Sequence, residues 1–96
     1  MTIRFTPTAE AKLLNVVAYL LDENSTAARP FHDRALETIS RLGEYPHSGR
    51  VIPEFPTLPY REVIVRPYRF FYRVVGEEVW IVDVWHDAQI PDEPPE

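Results

Sequence analysis

Arginine crowds one stretch of this chain, and its spacing bounds what the protein can do chemically. Arg50, Arg61, Arg66, Arg69 and Arg73 stand there against only Glu54 and Glu62, a local charge of +3 in a chain of net charge −5. Of the ten basic residues, Lys12 is the one lysine. A guanidinium is a planar fork that matches carboxylate or phosphate with two parallel hydrogen bonds, which a lysine ammonium does not do. The set therefore suits either an anionic ligand or carboxylates of the same chain. The plain alternative for each arginine is a solvated strand position beside a local acid. Glu54 follows Pro53 in a proline-rich segment, where its plain role is an ion pair with Arg50 or Arg61. His86 closes the last apolar run, while His32 and His47 lie elsewhere with no metal-ligand spacing. Without cysteine there is no disulfide and no thiolate site. Neither a metal nor a cofactor is expected.

The elements that must position these residues are legible from periodicity. Ile3-Arg4-Phe5 alternates as a short strand. Thr6 offers an N-cap and Pro7 fits the first helical position. Ala9, Leu13, Val16, Val17, Leu20 and Leu21 form a helical stripe that ends at Asp22-Glu23-Asn24-Ser25. A second stripe, Phe31, Ala35, Ile39 and Leu42, stops at Gly43. Pro30 would sit inside that second helix if Ser25 began it, so a start near Arg29 or a kink is expected. Residues 44–59 hold four prolines and no periodicity, and read as a long loop. Three strands follow, Tyr60–Val65, Tyr68–Val75 and Val79–His86, with Pro67 tightening the first connection. Gly76-Glu77 suits a two-residue type II′ turn in the second. The expected fold is α+β: an N-terminal strand, two antiparallel helices, then a three-stranded antiparallel meander. The four strands form one antiparallel-type sheet with both helices on one face. One domain spans 1–88, and 89–96 is an acidic, proline-rich tail expected to be irregular or disordered.

That turn fixes a register. It sets Val75 opposite Glu78, Arg73 opposite Trp80 and Arg69 opposite Val84, and opposed residues share a face. One face then carries Arg69, Phe71, Arg73, Trp80, Val82, Val84 and His86. The other carries Tyr68, Phe70, Tyr72, Val74, Val79, Ile81, Asp83 and Trp85. Both are apolar, and two helices cover only one. The second is expected to be covered by another chain, with Arg50, Arg61, Phe71, Trp80, Val82 and Val84 as the partner-binding set.

Ninety-six residues support a single modest core. No apolar run approaches the ~20 residues that span a membrane, and no secretion signal is seen at the N-terminus. A cytoplasmic protein with no membrane contact is expected. The net charge of −5 argues against a general nucleic-acid binder, which needs surplus positive charge to displace counterions.

In their order these pieces resemble the RelE/ParE superfamily of bacterial toxins. The echoes are Phe5-Thr6-Pro7, Pro46-His47-Ser48-Gly49-Arg50, Pro53-Glu54, Arg61-Glu62, Tyr68-Arg69 with Tyr72-Arg73, and Val84-Trp85-His86. They cover Phe5 to about His86. The resemblance implies the toxin of a type II toxin–antitoxin, plasmid-stabilisation module, held by a cognate antitoxin. In the ParE-like branch, which Tyr60-Arg61-Glu62-Val63 and Arg66-Pro67-Tyr68-Arg69 favour, such a toxin binds DNA gyrase and needs no acid–base set. In the RelE-like alternative it cuts messenger RNA on the ribosome without a metal. The matching positions would then be Glu54 as base, Arg69 with Arg73 on the phosphate, and His86 as acid. After His86 this chain reads Asp87-Ala88-Gln89, where many relatives carry a nearby arginine. A non-toxic binding module on the same scaffold is the third reading. The oligomeric state stays open.

Overall fold

The computed structural model describes residues 1–94, and the expectations for Pro95 and Glu96 lie outside them. The elements run β1 (Thr2–Phe5), α1 (Pro7–Glu23), α2 (Ser25–Ser40), a 3₁₀ turn (Arg41–Gly43), β2 (Arg50–Val51), β3 (Arg61–Val65), β4 (Tyr68–Val75) and β5 (Glu78–His86). One sheet is formed in the order β1-β5-β4-β3-β2. The α+β meander is as expected, with two differences. β1 lies parallel to β5, and the loop contributes a fifth, two-residue strand that pairs Arg50 with Glu62 and Val51 with Arg61.

Local chemistry explains the helices. The Thr6 side chain accepts the Ala9 N–H at 3.2 Å, satisfying one of the free donors of the first turn, and Pro7 begins α1. Ala9, Leu13, Val16 and Leu20 pack on the sheet, while Leu21 stands exposed. α2 starts at Ser25 with Pro30 inside it, so the late start expected from Pro30 is not what the chain does. The missing N–H falls early in the helix on an exposed residue, and the buried stripe of Ala28, Phe31, Ala35 and Ile39 holds the helix in place. These side chains meet Phe70, Tyr72, Val79, Ile81 and Val84 in the main core.

Gly76 takes a φ of 59°, as the first position of a type II′ hairpin requires, and the register begins as expected, Val75 opposite Glu78 and Arg73 opposite Trp80. It then breaks. Phe71 pairs with Asp83 but Tyr72 with Ile81, so Val82 is an extra residue on β5. Beyond this bulge every β5 side chain changes face relative to the simple register. Arg69 pairs with Trp85 instead of Val84, and His86 lies opposite Tyr68. Asp83 holds the irregularity together. Its Oδ1 accepts the Val84 N–H at 2.9 Å, its Oδ2 accepts Trp85 Nε1–H at 2.9 Å, and Lys12 Nζ lies 2.6 Å from Oδ1. Lys12 also stands 4.0 Å from the Trp85 ring centroid.

The sheet face away from the helices is not bare. A second core joins Ile52 and Tyr60 of the loop to Phe71 and Val82 of the sheet, with Phe55, Leu58, Trp80 and Trp85 packed around it. The loop drops onto the sheet through successive turns, Phe55 N–H to Ile52 O at 3.0 Å and Leu58 N–H to Phe55 O at 3.2 Å. The expectation that another chain must cover this face is corrected: the chain's own prolines bend Ile52, Phe55 and Leu58 over it. The tail has no regular structure, yet Pro91 and Pro94 are buried, so through residue 94 it is irregular and packed.

Candidate functional site

Arginines and carboxylates alternate along the loop-covered face. Arg69 and Phe71 lie on that side of β4, and Glu62 on β3 pairs directly with Phe71. β2 then sets Arg50 directly opposite Glu62. The register thus lines up Glu54, Arg69, Glu62 and Arg50 as a continuous ion-pair chain. Arg69 Nη1 and Nη2 donate to the two oxygens of Glu54 at 2.8 and 2.6 Å. Its Nε donates to Glu62 Oε1 at 2.7 Å, and Arg50 Nε donates to Glu62 Oε2 at 2.5 Å. Exposure grades across this chain. The Glu62 side chain is 0% exposed, Arg69 6%, Glu54 37% and Arg50 61%. Two charges in the middle are out of water and fully paired, and two at the ends are wetted.

The charges follow. Hydrogen bonds from Arg69 hold the Glu54 carboxyl below its ordinary value, against a smaller opposing effect of burial. The same bonds hold the Arg69 guanidinium further above its already high value. Glu54 is therefore ionised, with both oxygens already accepting from Arg69, a poor arrangement for taking a proton from a substrate. Its partner is Arg69, not the Arg50 or Arg61 that the sequence suggested.

The remaining expected residues separate. His86 lies on the helix side: its ring meets Tyr68 edge-on at 5.2 Å, Tyr68 in turn meets Phe31 at 5.5 Å, and Nδ1 accepts the Ala88 N–H at 2.9 Å. The bulge puts His86 there, so the expected sharing of one face by Arg69, Arg73 and His86 does not hold. Arg73 leans over the Tyr60 ring at 5.4 Å. Arg61 donates to Gly49 O at 2.9 Å. Of the residues expected to bind a partner, Phe71 and Val82 are buried in the loop-side core and Val84 in the helix-side core, because loop and bulge respectively enclose them. Trp80 is partly buried, and Arg50 is exposed.

Sequence reasoning missed Tyr72 as an organiser of the loop. Its hydroxyl accepts the Gly49 N–H at 2.9 Å and donates to Pro46 O at 2.8 Å, and burial raises its pKa, so it stays a neutral donor. A Cβ added to Gly49 would lie 2.6 Å from Glu62 O and from the Tyr72 ring and hydroxyl, which is why the loop carries glycine there. The echo Pro46…Gly49 with Tyr72 was visible; that they touch was not. Asp83 is the other missed residue. An acid inside an apolar strand was the available sign of a bulge.

A strand, a helical hairpin and an arginine-bearing meander covered by its own loop define a small α+β domain. Among solved structures the chain is similar to one described as the chromosomal ParDE TA system from P. aeruginosa, with 17% identity, a TM-score of 0.63, and coverage of 90% of this chain and 95% of that one. At that identity the likeness concerns the fold. The family model described as ParE toxin of type II toxin-antitoxin system, parDE, matches residues 3–91. The chain belongs to this ParE toxin family. No curated protein matches the sequence.

Proposed function

We propose that this toxin acts in the cytoplasm by binding a protein target, DNA gyrase, and that a cognate antitoxin neutralises it as part of a plasmid-stabilisation module. The observation that carries the reading is the state of Glu54 and His86. The base that a ribonuclease of this fold would use has both oxygens bonded to Arg69, and the acid is on the opposite side of the sheet. Each of those roles is worth about 100- to 10,000-fold in rate, so a nuclease without them forfeits most of its advantage. A protein-binding toxin loses nothing by locking its arginines to its own carboxylates. The antitoxin follows from the family, in which toxin and antitoxin form one module.

The test uses two assays on one preparation. The purified protein is expected to inhibit gyrase supercoiling, the protein encoded beside it to restore the activity, and ribosome-bound message to stay intact. Ribosome-dependent cleavage that disappears in Glu54→Ala would overturn the reading in favour of the nuclease. Inactivity in both assays, with no effect on growth, would leave a non-toxic binding module.

A further inference from the structure

Arg73 differs from the other guanidinium groups. Among the described residues it makes no hydrogen bond and no ion pair, and its Nε is buried without a partner. Leaving a buried donor unmade carries a desolvation penalty of about 1–3 kcal/mol, and more for a charged group. Arg73 lines a cavity of about 260 Å³, together with Arg61, Tyr60, His47 and the aliphatic side chains of Leu58 and Val74. Among the described residues Arg61 bonds only a backbone carbonyl, and none of those lining the cavity is a carboxylate. In a chain of net charge −5, two guanidinium groups with no acid beside them among the described residues make a locally positive corner.

We infer that this cavity receives the carboxylate side chain of an acidic segment on a protein partner, with Arg73 and Arg61 as its cationic contacts. Three observations choose this occupant. The volume lies below the roughly 300–1,000 Å³ of small-molecule pockets and fits a side chain. Apolar walls beside a cationic end match the aliphatic stem and charged tip of glutamate. β4 continues through Val75 after its pairing with β3 ends at Tyr72, so the cavity opens beside unpaired strand backbone along which an extended peptide can run. A nucleic acid presents a row of phosphates whose counterions only a surplus of cations displaces, which a chain of net charge −5 lacks, whereas one side-chain carboxylate needs only the local pair. The inference rests on the protein-binding reading above, but not on gyrase as the particular target.

The experiment follows the Arg73 Nε–H resonance of the full-length chain by NMR while tetraglutamate, tetraglutamine or a short oligothymidylate is added. Tetraglutamate is expected to shift that resonance saturably and tetraglutamine to leave it unmoved. Followed through the backbone amide resonances of Arg61 and Val74, which the variant keeps, Arg73→Gln should weaken tetraglutamate binding by about tenfold or more, the loss expected for a charge-assisted contact. Arg61→Gln should weaken it to a lesser degree, and backbone spectra report whether each variant is folded. Equal response to tetraglutamine, no saturable response in the unmodified chain, or unchanged affinity in folded Arg73→Gln would overturn the inference. Tighter binding of the oligothymidylate would overturn it in favour of phosphate. Peptide binding without gyrase inhibition would sink the gyrase target and leave the cavity assignment standing.

Discussion

Replacing Arg69 by methionine tests the ion-pair chain most directly. Methionine keeps much of the stem that packs near Phe71, whose ring lies 5.2 Å from the guanidinium, and removes the charge. Glu62, with a fully buried side chain, is then left with Arg50 alone, and Arg50 is mostly in water. Removing one partner of a buried pair costs about 3–5 kcal/mol, because the remaining charge loses its compensation without regaining solvent. The surviving Arg50 contact places the expectation near the lower end, about 3 kcal/mol. For a domain of this size, where each kcal/mol moves Tm by roughly 4–8 °C, Tm should fall by at least about 12 °C. Glu54→Gln, at the wetted end of the same chain, should cost no more than about 1 kcal/mol. The double variant Arg69→Met with Glu62→Met should recover most of the loss, since nothing charged is then buried and Arg50 is free to hydrate. Urea unfolding of the four proteins reads all of this. A loss under about 1 kcal/mol for Arg69→Met, or a double variant worse than the single one, would refute the view that Glu62 depends on Arg69.

Three further outcomes are expected. Glu54 has its folded-state pKa depressed below 4.5, so its stabilising contribution is present above that value and is lost as pH falls through the lower, folded one; acid titration of stability should be shallower in Glu54→Gln than in the unmodified chain, and parallel curves would contradict the Glu54–Arg69 bond. Gly49→Ala should destabilise by about 1–3 kcal/mol, because the added methyl meets backbone and a buried ring at 2.6 Å; a melt within error of the unmodified chain would show that the loop yields. Pro30→Ala restores a helical N–H at an exposed position and should raise stability by about 1 kcal/mol after allowing for the freer unfolded chain, as read by urea unfolding; a fall would mean that the proline fits α2 without loss.

Local signals in the sequence were strong wherever one periodicity governed. The Thr6-Pro7 start, the stripes through Ala9 to Leu20 and Phe31 to Leu42, and the turn at Gly76 each follow from short-range rules, and they suffice for the α+β order. The site was less legible because it depends on a count of one. A single inserted residue, Val82, moves Val84 and His86 to the helix side, and no periodicity announces it; only Asp83 hints at it. Residues 44–59 read only as a long loop, with no sign that they cover the sheet, because prolines hide periodicity. Ile52, Phe55 and Leu58 recur every third residue, which suits successive turns and neither helix nor strand.

This division of labour among the arginines bears on how such a small acidic protein recognises a partner. Arg69 and Arg50 are committed to Glu62 and Glu54, so they stiffen the loop against the sheet and offer little attraction to an incoming molecule. Both apolar faces of the sheet are closed by the chain itself, one by α1 and α2 and one by the loop. The buried aromatic residues and the Arg69 guanidinium are therefore not available to bind, and Arg50, though exposed, is already paired with Glu62. What remains near the loop is the corner where, among the described residues, Arg73 and Arg61 have no carboxylate partner, beside the end of β4 that β3 does not reach. A rigid loop helps there in a specific way. Tyr72 fixes Pro46 and Gly49, and Gly49 in turn accepts from Arg61, so the cationic corner is pre-set before a partner arrives and little ordering entropy is left to lose on binding. The Arg50–Glu62 pair acts on that corner through the chain, because Arg50 follows the Gly49 whose carbonyl holds Arg61.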